Sequence, residues 1–294
     1  ADRVNAAVTL IFNNYWNYGG WINVFGVILY SIQLYADFSG GIDITIGIAQ
    51  MFGITMDENF RQPYFSRSIS EFWRRWHITL GTWMKDYIFY PFSLSRCMNK
   101  FGKWCKKTFG NNVGKLLPVS LANLLVFFIV GIWHGAAWKY IMYGMYNGVI
   151  IAASGMLAPV YARIHESLHI NPKSWWYQVF CIIRTFILVN IGFYFDMAPD
   201  LHAANVMLLD TVTKAHLSQT VKAVGLTAQD LIIVAAGCII IFVVSVLKEK
   251  GIKIREAVAS RNIVLRWFIY IVFIMFILIY GSTSTTSDFI YANF

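Results

Sequence analysis

The sequence predicts an all-α polytopic integral membrane protein, a multi-helix bundle with interfacial and re-entrant helices. Three observations lead there. Hydrophobic residues make up 57% of the chain and charged ones only 13%, with a mean hydropathy of +0.55, far outside the composition of soluble domains. Several apolar runs reach the roughly 20 residues that a helix needs to cross a hydrocarbon core about 30 Å thick. These runs are continuous, whereas a barrel strand shows about ten residues of alternating polarity between turns.

In chain order, residues 15–36, 116–138, 140–160 and 174–195 have spanning length, the last interrupted only by Arg184. Residues 231–247 and 267–281 reach it once their interfacial ends are included, so six spans are expected. Trp16, Trp21, Trp138, Trp175, Trp176 and Trp267 lie near span ends, where amphipathic rings favour the headgroup level. Between Arg96 and Lys115 stand six basic residues (Arg96, Lys100, Lys103, Lys106, Lys107, Lys115) and no acid, which predicts a cytoplasmic loop by the positive-inside rule. Threading onward puts Arg163, Lys173 and the cluster Lys248, Lys250, Lys253, Arg255, Arg261 and Arg266 on the same side. Residues 196–230, with Asp196, Asp200, Asp210 and Asp230 against Lys214 and Lys222, fall outside.

This topology accounts for the formal charge of +9 without a nucleic-acid partner. Cys97, Cys105, Cys181 and Cys238 form no CxxC pair and show no metal-ligand spacing, so neither a disulfide framework nor a metal site is expected. With no repeat or Pro-rich linker, residues 1–294 read as one membrane domain. The chain starts at Ala1 rather than Met and enters helix-like sequence at once, which leads us to expect a missing N-terminal portion.

Residues 37–95 mix charges with aromatics and are too polar to cross as one helix. Asp37 and Asp43 flank Ser39, Gly40 and Gly41, a stretch that reads either as a break near a site or as helix capping. Ser68 with Glu71 makes a capping box that starts a helix at about Ile69, and Glu71 can pair with Arg75. From there Ile69, Phe72, Trp73, Trp76, Leu80, Trp83, Met84 and Tyr87 fall on one face, predicting an amphipathic interfacial helix with His77 on its flank.

His134 is the ionisable group of an otherwise uncharged span, F-F-I-V-G-I-W-H-G-A-A-W. Such a group is costly in hydrocarbon and is a functional candidate; the competing reading is a packing residue bonded to a neighbouring carbonyl. His77, beside two arginines, reads either as an interfacial polar group or as a second site residue. Gly131 and Gly135 form a GxxxG pair that admits another helix, and Asn123 stands about three turns before His134. Trp76 and Trp133, each preceding a histidine, join Asn123 as candidate substrate contacts.

Three stretches carry a family resemblance: Y-A-D-F-S-G-G from Tyr35, E-N-F-R-Q-P-Y-F-S-R-S-I-S-E-F-W-R-R-W-H-I-T-L-G-T-W-M-K-D-Y from Glu58, and G-I-W-H-G-A-A-W from Gly131. Their length and order resemble the membrane-bound O-acyltransferases, in the branch that O-acetylates alginate or D-alanylates teichoic acid. The closing F-I-Y-A-N-F resembles the family's C-terminal end, while the family's first helices have no counterpart. The resemblance implies that His134 is the catalytic base and His77 the second active-site histidine, in a multi-pass protein of the bacterial plasma membrane. It implies an acyl thioester donor (acetyl-CoA or an acyl carrier) reaching the site from the cytoplasm, with no tightly bound cofactor. A cell-surface polysaccharide supplies the acceptor hydroxyl from outside, and an extracytoplasmic acyltransferase is the implied partner alongside membrane lipid. The W-R-R-W-H form resembles the acetylating branch more than the D-alanylating one, whereas Gly41-Ile42-Asp43 and Tyr90-Pro91-Phe92 depart from the alginate-type pattern. A buried imidazole suits the chemistry, because desolvation keeps a histidine neutral and able to take the hydroxyl proton. His77 is then expected as a hydrogen-bond donor to the developing oxyanion. No Ser or Cys with a partnered base is visible, which favours direct transfer. A polysaccharide or lipid transporter and a non-catalytic scaffold subunit are the alternatives of other classes.

Overall fold

The apolar runs fold as helices. A computed structural model describes residues 1–214 and 221–281; the closing F-I-Y-A-N-F stretch lies outside the described residues. The helices are α1 (Asp2–Asn13), α2 (Trp21–Met51), α3 (Ile69–Arg75), α4 (Ile78–Met84), α5 (Tyr90–Ser93), α6 (Arg96–His134), α7 (Trp138–Met156), α8 (Ala158–Ser167), α9 (Trp175–Met197), α10 (Leu201–Thr213), α11 (Ala228–Glu249), α12 (Ile254–Ala259) and α13 (Ile263–Tyr280). Five segments are long and apolar enough to cross a membrane: α2, the Val113–His134 part of α6, α9, α11 and α13. The pair α7 and α8, bent by 56°, makes a sixth if taken as one span.

Several boundaries differ from those expected. The first span starts at Trp21, not residue 15, because the chain turns through Gly20 with φ at +53°. It then runs unbroken to Met51 through Asp37–Asp43, so that stretch is neither a break nor a helix cap. The polar side chains there are absorbed by the helix itself: Ser39 donates to the Tyr35 carbonyl at 2.6 Å and Thr45 to that of Gly41 at 2.8 Å.

The expected basic loop is helical. Gly110, with φ at +80°, breaks α6 so that residues 96–109 fold back on the start of the span. A Cβ on Gly102 would sit 3.4 Å from Pro118 Cγ, and one on Gly114 would run into the Lys106 backbone.

The single amphipathic helix expected from Ile69 to Tyr87 is two helices broken at Trp76–His77, followed by a π-turn over Lys85–Phe89. Ser68 caps α3, accepting from the Glu71 amide at 3.1 Å. Glu71 reaches the Arg67 amide rather than that of Ser68, and pairs with Arg75 at 2.9 Å. Arg75 also pairs with Glu249 of α11. The break follows from the segment alongside: Arg61 donates its amide to the Arg75 carbonyl at 2.9 Å, and Ile78 donates to that of Asn59 at 3.1 Å. Backbone groups that would continue the helix are spent on residues 59–61.

The acids of residues 196–230 serve packing and capping. Asp196 and Asp210 are buried, Asp200 caps α10 through Ala203, and Asp230 closes a capping box with Thr227 while pairing with Arg3 at 2.8 Å.

The core gathers side chains of α1, α2, α3, α9 and α10, among them Phe12, Ile22, Phe72, Phe193 and Met207. By contrast, no residue in the apolar window of α13 is buried and almost none in that of α11, as suits helices that meet hydrocarbon. The α6–α7 contact is built on small residues. A Cβ on Gly131 would lie 2.6 Å from the Tyr140 carbonyl oxygen, and Gly144 of α7 faces Gly131 and the Phe127 carbonyl. Gly144→Leu should therefore destabilise the fold by about 1–3 kcal/mol, read as a lower unfolding midpoint in detergent.

Candidate active site

His134 is the last residue of α6. Gly135 follows with φ at +150°, a conformation that side chains resist, and a Cβ there would collide with the Tyr140 ring. That ring stacks on His134 at 6.1 Å, while Tyr143 meets it edge-on at 5.4 Å. The imidazole is 5% exposed. Its Nδ1 faces Asp196 Oδ1 across 3.8 Å, and the other oxygen of Asp196 accepts from the Tyr30 hydroxyl at 2.7 Å. Lys139 donates to the carbonyls of Asp196 and Ala198 at 3.1 and 2.8 Å, which secures the end of α9.

His77 sits in the break between α3 and α4 with left-handed φ of +46°, not on the helix flank expected for it. Its ring lies edge-on to Phe38 at 4.9 Å and to Trp133 at 5.9 Å. Trp133 also meets His134 at 5.0 Å. The two histidines thus share one indole between them, and Trp133 is 39% exposed. Asn59 Oδ1 gathers three donors: the Thr79 amide at 3.1 Å, the Thr79 hydroxyl at 2.6 Å and His77 Nδ1 at 3.1 Å. Because an amide N–H can only donate, that atom is the oxygen, and Nδ1 of His77 must carry the proton. The lone pair of the neutral ring is then on Nε2. Burial, reinforced by repulsion from His134, pushes the His77 pKa down from 6.5 to about 4. A neutral His77 in this tautomer presents an acceptor at Nε2.

The other sequence candidates separate. Trp76 is 3% exposed and packs among Phe60, Phe72, Tyr35 and Tyr64; it is a core residue behind His77 rather than a surface open to substrate. Asn123 is half-buried and stands eleven residues before His134, about 16 Å along the helix axis, so the structure does not bring it to the imidazoles. Asp196 and Asn59 escaped the sequence reading. An aspartate at the end of an apolar run looks like the start of a loop, and Asn59 was marked only by lying inside the E-N-F-R-Q-P stretch. Among the described residues, no group of three or more His, Cys, Asp or Glu is placed to hold a metal ion.

The model of the membrane-bound O-acyltransferase family matches residues 10–195, a segment that holds both histidines, Asn59 and Trp133 and ends one residue before Asp196. The chain belongs to this family. Among its relatives, a probable alginate O-acetylase of Pseudomonas syringae pv. tomato is 36% identical over 62% of the chain and 30% of its own length. A peptidoglycan O-acetyltransferase of Helicobacter pylori is 34% identical over 65% of the chain and 32% of its own. A teichoic acid D-alanyltransferase of Bacillus subtilis is 32% identical over 59% and 40%. The matched part thus spans 30–40% of the length of these membrane-bound O-acyltransferase relatives. The family and the apolar helices make this a multi-pass membrane protein.

His77 takes up a proton less readily in the folded than in the unfolded chain, so between pH 6.5 and about 4 the unfolded state holds more protons and stability falls as the pH drops. His77→Gln should flatten that acid-side loss, measured as the unfolding midpoint against pH in detergent.

Proposed function

We propose that the protein transfers an acyl group, acetyl in the first instance, from a cytoplasmic thioester such as acetyl-CoA or an acyl carrier to hydroxyls of a bacterial cell-surface polysaccharide. The observation that carries the proposal is the buried His134, backed at Nδ1 by the Asp196 carboxylate and separated from His77 by one partly exposed indole.

Acyl transfer to an alcohol needs a base at the hydroxyl as its oxygen attacks the thioester carbonyl. Asp196 favours the tautomer with the proton on Nδ1, which puts the lone pair of His134 on Nε2. That nitrogen takes the hydroxyl proton, the new ester C–O bond forms, the C–S bond breaks, and the proton passes on to the departing thiolate. The resulting imidazolium is stabilised by the carboxylate behind it, and the 3.8 Å separation can tighten into a hydrogen bond once charge develops. Neutral His77, accepting at Nε2, can hold an acceptor hydroxyl or the thioester's amide N–H in place.

The names of the acetylating relatives, for alginate and peptidoglycan, support acetyl and a saccharide hydroxyl. D-alanyl transfer to teichoic acid is the second reading, favoured by the relative of that name. Completion of the reaction with an extracytoplasmic partner enzyme belongs to the same proposal.

The test is ester-linked acyl groups on the surface polymers of cells carrying the full protein. His134→Ala should lower them by at least about 100-fold, the lower end of what a general base supplies, at equal membrane abundance. Persistence of all esters would remove His134 from the chemistry. Asp196→Asn should lower the rate by less than His134→Ala, since it disturbs the tautomer and leaves the imidazole in place; an unchanged rate would deny Asp196 that role.

A further inference from the structure

We propose that the helical hairpin of residues 96–118 is a docking surface for anionic phospholipid headgroups. Along its first arm, Arg96, Lys100, Lys103 and Lys107 recur at spacings of four, three and four residues, which sets them in one stripe. Met98, Gly102 and Cys105 make a second stripe on the opposite side. That side is packed: Met98 and Cys105 are buried, and Gly102 lies against Pro118. The cations therefore cannot turn inward. Arg96, Lys100, Lys103, Lys106, Lys107 and Lys115 are all exposed, residues 96–118 contain no acid, and among the described residues none of the six enters an ion pair.

Two further observations favour lipid over a soluble acidic partner. Trp104 and Phe109 are exposed at 55% and 51% on the same arm. Trp104 rests against Phe101 and Phe109 at 5.9 and 5.8 Å, and aromatic rings interleaved with lysines are the composition of helices lying at a bilayer surface. The second arm also continues directly into the span that begins at Val113, so the hairpin is held at the membrane boundary by its own chain. None of these residues belongs to the histidine site, and the inference stands apart from the acyl-transfer proposal.

The experiment reconstitutes the full protein in bilayers of phosphatidylcholine and phosphatidylglycerol, extracts it in mild detergent, and measures the co-purifying lipids by mass spectrometry. The wild type should retain an excess of phosphatidylglycerol over the bulk ratio. Joint replacement Arg96→Gln, Lys100→Gln, Lys103→Gln and Lys107→Gln should cut that excess by about fivefold or more, the factor that even one basic group near an anionic surface carries. Replacing the three lysines by arginine should preserve it, a control for variants that fold poorly. Extraction in about 1 M salt, where the screening length shrinks to roughly 3 Å, should weaken it in the wild type. An excess that survives the glutamine replacements or the salt, or that is lost with arginine, would overturn the proposal.

Discussion

A carboxylate shut away from water can persist only where its oxygens meet donors or an opposing charge, because the desolvation cost is otherwise several kcal/mol. Asp196 lives under that constraint, and the arrangement around it follows. One oxygen takes the Tyr30 hydroxyl of α2, the other faces His134 at the end of α6, and the backbone carbonyl of the same residue takes the ammonium of Lys139 on α7. Four helices are thereby fixed relative to one aspartate. The glycine contact between α6 and α7 does the complementary work of letting the backbones close in, and Gly135 ends α6 where the imidazole can stand between Tyr140 and Asp196.

Most of the spans were legible because an uninterrupted apolar run has few other fates. The failures have physical causes. At Asp37–Asp43 the sequence shows a cluster of breakers, yet a serine or threonine in a helix can satisfy itself on the carbonyl one turn back, and the helix runs on through Met51. At residues 96–115 charge density suggested a loop; the same residues at helical spacing form an arm whose buried stripe is only Met98, Gly102 and Cys105, too sparse to stand out. At His77 the periodicity continued across a point where tertiary hydrogen bonds from residues 59–61 claim the backbone, and no local pattern announces a competitor some fifteen residues upstream.

The site was legible to a similar degree. His134 stood out because an ionisable group in an apolar span has to be explained, and both histidines lay in stretches that carried the family resemblance. What could not be seen was which groups set their tautomers. Asp196 and Asn59 act on Nδ1 of His134 and His77 respectively, and they reach their targets only through the tertiary fold. Trp76 was visible only as an aromatic next to a site histidine, and the packing that buries it among Phe60, Phe72 and Tyr64 could not be read from that position.

The indole of Trp133 touches both imidazoles, so the two histidines do not have separate surroundings. A change at any one of the three rings alters the contacts of the other two, and residues in direct contact depart from additivity by about 0.5–3 kcal/mol. Single replacements at His77, Trp133 and His134 thus report on one epistatic unit, and apportioning its contribution among the three requires a full double- and triple-mutant cycle.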